Sequence, residues 1–117
     1  MTFYDRNGHP QFYCQDKEFL YDFNGSPIGY FYNNSIYNFK GNHLGWFEDG
    51  WIIDPNGYRF CFNEDANGGP MKPMKSMKPT KGMKSMKPMK SMKEMRPMKP
   101  MKSLSWSNMN IAEFFRN

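Results

Sequence analysis

Few residues of this 117-residue chain are of types that do chemistry, and their spacing suits none. Cys14 with His9 or His43 is the nominal nucleophile–base pair. A lone Cys and His in a short aromatic segment read better as packing or surface residues, so no catalytic residue is assigned. The cysteines and histidines lack metal-finger spacing, which argues against structural zinc. Asp5, Asp22 and Asp54 head phrases of the type Asp-x-Asn-Gly, which is also a fragment of a calcium loop. A full EF-hand loop needs ligands at alternate positions, a distal Glu and flanking helices, and these are missing. Met-x-x-Met recurs in the second half and offers soft thioethers to copper(I). Every such Met is followed by Lys or Arg, whose charge repels the metal. No cofactor and no metal are therefore expected.

The Asp phrases repay attention as structure. Phe3-Tyr4-Asp5-Arg6-Asn7-Gly8 is followed by Leu20-Tyr21-Asp22-Phe23-Asn24-Gly25. Ile36-Tyr37-Asn38-Phe39-Lys40-Gly41 and Ile52-Ile53-Asp54-Pro55-Asn56-Gly57 complete the set, with the glycines 17, 16 and 16 residues apart. A period this short is one supersecondary unit repeated. Asp or Asn opens a turn by accepting a backbone N–H two residues on, and Gly supplies the left-handed residue of a bulged hairpin. Three positions after each Gly stand Gln11, Ile28, Leu44 and Phe60, and five positions after stand Tyr13, Tyr30, Trp46 and Phe62. Alternation with period two predicts a strand in which these two sets share one buried side. Phe12, Gly29, Gly45 and Cys61, between them, are small in three repeats and predict a close approach by another group.

One hairpin is not stable in water, but four can bury their apolar sides together. Short links such as Asn33-Asn34-Ser35 and Glu48-Asp49-Gly50 favour antiparallel neighbours. The fold expected is all-β: four consecutive hairpin repeats in a pseudo-fourfold meander over residues 1–66, closed as a ring or rolled as a sheet. A basic triplet tail follows over 67–103, and a short apolar docking segment over 104–117. Residues 1–70 carry four cations against nine carboxylates, a net of −5; residues 71–117 carry twelve against two, a net of +10. The first part also holds 18 of the 21 aromatic residues. Rings burying ~150–250 Å² each can hold so short a domain together.

The strings Tyr21-Asp22-Phe23-Asn24-Gly25-Ser26-Pro27-Ile28-Gly29-Tyr30 and Gly41-Asn42-His43-Leu44-Gly45-Trp46-Phe47-Glu48-Asp49-Gly50 resemble the bacterial four-fold β-flower domain family. The resemblance covers about residues 3–64. It implies the four-hairpin fold and a bacterial origin. It implies no activity and transfers no catalytic or binding residue. It also implies a terminal part of basic triplets and a Ser-Trp-Ser segment.

From Met71 to Ser103 the chain is eleven triplets: Met in ten first places, Thr80 in the other, and a cation in every second place. The third place holds Pro, Ser, Gly or Glu. Pro79, Pro88 and Pro97 each cost roughly 3 kcal/mol inside a helix. Polyproline II, with three residues per turn, separates the triplet into a Met stripe, a cationic stripe and a Pro/Ser stripe. The tail then has four uses open to it: a solvated linker, a Met stripe docked on apolar surface, a polyanion ligand, or a copper(I) chain. The candidate contacts for an acidic surface or polyanion are Lys72, Lys75, Lys78, Lys81, Lys84, Lys87, Lys90, Lys93, Arg96, Lys99 and Lys102. The tail lacks interleaved aromatics for base stacking, so nucleic-acid binding by it would be non-specific.

Beyond the triplets, Ser107 or Asn108 is placed to cap a short helix on which Ile111, Phe114 and Phe115 share a face. Trp106, Ile111, Phe114 and Phe115 are the candidate docking anchors, on the same domain or a neighbour. With no leader-like N-terminus and no apolar run near ~20 residues, a cytoplasmic protein with free thiols is expected. The function expected is a non-enzymatic interaction or structural module: an aromatic hairpin platform with a cationic tail that docks on an acidic surface. The alternative is non-specific binding of nucleic acid or another polyanion through the tail. A protein partner or self-association fits the first, and no small-molecule substrate is evident.

Overall fold

A computed structural model gives the architecture and describes residues 1–116. Eight short strands run in chain order: β1 (Thr2–Tyr4), β2 (Pro10–Cys14), β3 (Phe19–Asp22), β4 (Pro27–Tyr32), β5 (Ser35–Tyr37), β6 (His43–Glu48), β7 (Trp51–Ile53) and β8 (Arg59–Phe62). Each pairs antiparallel with the next, and β8 returns to β1 through Tyr4 and Phe62, which closes the barrel. The Thr2 N–H reinforces that seam by donating to the Glu64 carboxylate at 3.0 Å. One helix, α1 (Ile111–Arg116), ends the described chain. No helix among the described residues is long and apolar enough to cross a membrane.

The turn chemistry repeats four times. Asp5, Asp22, Asn38 and Asp54 each accept N–H groups two and four residues on, at 2.9–3.1 Å. Gly8, Gly25, Gly41 and Gly57 then take φ of +82° to +95°. These side chains are structural, as the turn reading requires. At the other rim the links turn through left-handed residues, Asn33 and Asn34 at φ 49° and 60°, Asp49 and Gly50 at 52° and 84°. Both links have the doubly left-handed backbone that suits a two-residue hairpin.

The strand pattern departs from simple alternation. Between Leu20↔Gly29 and Tyr21↔Pro27 the register shifts, so Ile28 has no partner. Gln11, Leu44 and Phe60 stand at the same irregularity in the other hairpins. The bulge turns the third position after each Gly to the same side as the fourth. Leu44 and Phe60 pack inside with Phe12 and Cys61, and Ile28 packs against them. The fifth position faces outward, where Trp46 and Phe62 join Tyr4, Trp51 and Ile53 in a separate cluster. Third and fifth positions therefore do not share a face, because an extra residue inverts the alternation between them.

The barrel interior is narrow. Phe3, Leu20, Ile36 and Ile52 stand opposite Phe12, Gly29, Gly45 and Cys61 across the four hairpins. At one end Phe31 and Phe47 close over Phe3 with ring centroids 5.0–6.0 Å apart. At the other end α1 is the stopper. Phe114 is fully buried and stacks on Phe60 at 4.3 Å, and Phe115 meets Phe12 edge-on at 5.2 Å. A side chain on Gly29 would strike the Tyr37 carbonyl and press on Phe115, and one on Gly45 would strike the Ile53 carbonyl and press on Phe114. These are the close approaches that the small residues announce.

Candidate functional site

The triplet tail has neither helix nor strand from Met71 to Ser103, yet it follows the barrel as a belt. The N–H groups of Ser76, Ser85, Glu94 and Ser103 donate to the carbonyls of Gly8, Gly25, Gly41 and Gly57, each at 2.8 Å. These donors are nine residues apart, while the acceptors are 17, 16 and 16 apart. Three triplets of belt thus match one hairpin of barrel. At ~3.1 Å per residue nine residues span about 28 Å. A quarter of the perimeter of a body 36 Å across is also about 28 Å, which is why the two periods stay in step.

The third places sort by this nine-residue period. Gly82 and Ser91 donate to the Phe23 and Phe39 carbonyls at 2.7 and 3.0 Å, and Pro73 and Pro100 hold the equivalent places in the first and last quarters. Pro79, Pro88 and Pro97 fall between the clasped triplets, where a residue without an N–H leaves no donor unsatisfied. The carbonyls of Met74, Met83, Met92 and Met101 occupy the space a side chain on the four hairpin glycines would need. Each of those glycines serves both its left-handed turn and the approach of the belt.

The cations face the barrel. Its outer aromatic band includes Tyr4, Tyr13, Tyr21, Phe19 and Tyr30, and belt lysines stand over these rings. Lys72 stands over Trp51 at 5.8 Å, Lys75 over Tyr4 at 5.9 Å and Lys81 over Tyr13 at 5.0 Å. Lys84 lies 4.8 Å from the Tyr21 centroid, Lys87 4.1 Å from Phe19, Lys90 4.5 Å from Tyr30 and Lys93 4.4 Å from Tyr32. Such cation–π contacts contribute ~0.5–1 kcal/mol each when exposed. Lys78 pairs with Glu64 at 3.5 Å, Lys90 with Glu18 at 2.5 Å, and Lys99 and Lys102 both with Glu48. Arg96 donates to the Asn33 carbonyl at 2.6 Å. Burial and its neighbour Lys102 push the Lys99 ammonium down from its ordinary value. The belt's partner on the barrel is thus as much aromatic as acidic.

The methionines are left outside. All ten in the triplets are 92–95% exposed. Of the stripes separated in the sequence, the cationic one lies inward and the thioether one forms an outer rim, interrupted at Thr80.

After Ser103 the chain crosses the fourth hairpin. Arg59 donates its N–H to the Ser105 carbonyl and accepts from the Ser107 N–H, at 3.0 and 2.7 Å. Trp106 then packs on Trp51 and Phe62 with centroids 5.3 and 6.0 Å away. Ser107 donates its hydroxyl to Asp54 at 2.5 Å and accepts the Met109 N–H, so it anchors the crossing rather than the helix. Asn110 is the cap: its side chain accepts the Glu113 N–H at 2.8 Å, and Glu113 accepts the Asn110 N–H at 3.2 Å. That reciprocal Asn-x-x-Glu box was the signal available in the sequence. Ile111 is half-buried beside Phe114 and Phe115.

The candidate chemical residues are dispersed. Cys14 and Cys61 are free and buried, and burial raises both thiols, Cys61 well above the ordinary value. Neither is the thiolate a nucleophile requires. His9 is exposed and lies 4.0 Å from Asp5. His43 instead meets Ser35, its Nε2 2.9 Å from Oγ, a pair that sequence spacing does not reveal. Ser35 is fully buried and His43 lies edge-on between Tyr37 and Trp46, so the pair is a packed hydrogen bond. A cavity of about 500 Å³ lies nearby, lined by Asn33, Asn34, Trp46, Glu48, Arg96, Pro97 and Lys99, without either member. Among the described residues no group of three or more His, Cys, Asp or Glu is placed to hold a metal.

Comparison with curated proteins and with solved structures gives no match. The family described as 4-fold beta flower protein matches residues 1–115, so the match takes in belt and helix as well as hairpins. A closed ring of four hairpins, girdled by its own triplets and stoppered by its own helix, is the form in which this chain belongs to the 4-fold beta flower family.

Proposed function

We propose that the protein is a non-enzymatic interaction module of the bacterial cytoplasm, and that its partner-facing surface is the methionine rim. The observation that carries this reading is the exposure of ten methionines along one line that only Thr80 interrupts, 92–95% each. Thioether side chains are unbranched and polarisable and adapt to irregular apolar surfaces, which suits them to binding. An apolar line of this length has no role in holding the belt, since that work falls to backbone amides and cations. Buried free thiols at Cys14 and Cys61 fit a reducing compartment.

The partner we infer is a protein with an apolar surface bordered by carboxylates. Belt cations remain partly exposed beside the rim; Lys78 keeps 49% of its side-chain surface and Lys99 38%. A second copy brings the same cations to the contact and is disfavoured by their repulsion. The same exposure favours the second reading, polyanion binding.

The test uses the full chain and a variant with all ten rim methionines changed to Gln. Titration with 1-anilinonaphthalene-8-sulfonate, an apolar anion, is expected to give enhancement that falls at least fivefold in the variant, with unchanged thermal midpoint. Equal enhancement by both proteins overturns the rim reading. Duplex DNA is titrated alongside at low and moderate salt. Tight binding retained by the Gln variant and lost steeply with salt favours the polyanion reading instead.

A further inference from the structure

The methionines of this chain fall into two environments. Met1 Sδ lies 3.1 Å from the Asn63 side-chain amide, and Met109 packs half-buried against the core beside Ile111 and Phe115. The ten rim methionines are 92–95% exposed, and their side chains bear no clasp or ring contact. What holds the belt is independent of them: four N–H donors to glycine carbonyls at 2.8 Å, two more to Phe23 and Phe39, and the cations over the aromatic band.

From this separation we propose that the rim is a modification site, a line of thioethers that takes oxygen from hydroperoxides while the fold stays intact. The sulfur attacks the terminal peroxide oxygen, an S–O bond forms and the O–O bond breaks. The proton passes to the departing oxygen, which leaves as water from hydrogen peroxide or as an alcohol from an alkyl hydroperoxide. Sulfur loses two electrons in becoming a sulfoxide, and the peroxide gains them. Exposure governs the rate of this step, and the product is reversible by sulfoxide reductases.

The consequence lies in polarity. Each sulfoxide replaces an apolar, flexible tip by a polar, chiral one. Ten of them in line convert the rim from an apolar contact surface to a polar one, with clasp and barrel untouched. This consequence rests on the rim reading above; the site itself does not.

The experiment treats the folded full chain with hydrogen peroxide and follows each methionine by mass spectrometry, with near-ultraviolet circular dichroism in parallel. The ten rim methionines are expected to oxidise within about twofold of N-acetyl-methionine amide, Met109 at least tenfold more slowly, and the dichroism to persist. Rim rates as slow as that of Met109, or loss of the dichroism in step with rim oxidation, overturn the proposal. A Met109→Leu variant removes core oxidation as a cause of any such loss. Binding of 1-anilinonaphthalene-8-sulfonate, measured before and after, separates the two readings. A reduced protein that fails to bind the dye ends the rim reading and leaves the oxidation result standing. Binding that survives complete rim oxidation ends the switch in polarity.

Discussion

The Ser85 N–H donates to the Gly25 carbonyl at 2.8 Å, while the carbonyl two residues earlier, on Met83, fills the place of a Gly25 side chain. The same two-point clasp recurs at Gly8, Gly41 and Gly57. A hairpin glycine is thereby fixed twice, by its own turn and by a segment far along the chain. The belt gains a partner for its backbone at every third triplet, which an isolated extended strand lacks.

Gly41→Val is therefore expected to cost more than a turn substitution alone. The φ of +90° strains any side chain, and the branch also displaces the Met92 carbonyl. Left-handed strain of ~1–3 kcal/mol and a lost hydrogen bond of about 1 kcal/mol give a total of roughly 2–4 kcal/mol. Lys40→Ala, one residue away and exposed, should change stability by less than ~0.5 kcal/mol. Urea denaturation of the two variants checks this, and equal small effects contradict the clasp.

The nine-residue period is testable by length. Deleting Met86-Lys87-Pro88 removes about 9 Å of belt between the Gly25 and Gly41 clasps. The remaining six residues cannot reach, so clasps or plug must release. A loss of about 3 kcal/mol lowers Tm by roughly 10–20 °C in a chain of this size. Pro88→Ala keeps the length and should shift Tm by no more than a few degrees. Thermal unfolding and tryptic cleavage of the belt report the difference; a deletion that melts like the parent rules out the matched periods.

Much of the hairpin ring was legible because its instructions are local. Asp22 with Gly25 dictates a turn wherever the pair occurs, and four copies dictate four hairpins. The bulge at Ile28 was not legible, because the period-two pattern reads the same with or without an unpaired residue between Leu20↔Gly29 and Tyr21↔Pro27. The inward face of the cations was hidden for a different reason. Lys87 over Phe19 at 4.1 Å joins residues far apart in the chain, and charge counting directs attention to carboxylates rather than rings. The belt's register was written in the third places, Ser76, Ser85 and Ser103 at multiples of nine with proline between, a period masked by the louder period of three. The Ser35–His43 contact needed the β5–β6 register to bring its members together.

Phe114→Ala tests whether the helix is part of the core. The ring is fully buried and stacked at 4.3 Å on Phe60, beside Gly45. Truncating such a ring costs about 3–5 kcal/mol. Met86→Ala, on the exposed rim, serves as the comparison and should stay within ~0.5 kcal/mol. Denaturant midpoints read both, and a cost below ~1 kcal/mol for Phe114→Ala means that the barrel stands without its stopper.

His43 gives the fold a pH dependence whose sign follows from its surroundings. Burial lowers its pKa below the usual histidine value; Glu94 opposes the shift and Arg96 adds to it. Ser35 meets its ring at 2.9 Å, and Tyr37 and Trp46 pack against it edge-on. The unfolded chain takes up a proton near pH 6.5, whereas the folded chain resists it until lower pH. Between those two values the unfolded state binds more protons, so stability falls as pH is lowered through the window and levels off beneath it. His43→Gln retains a hydrogen-bonding side chain without an imidazole to titrate. Urea midpoints measured from pH 7.5 to pH 5 are expected to decline in the parent and to decline less in the variant. Matching slopes in the two proteins assign the pH dependence to the carboxylates instead.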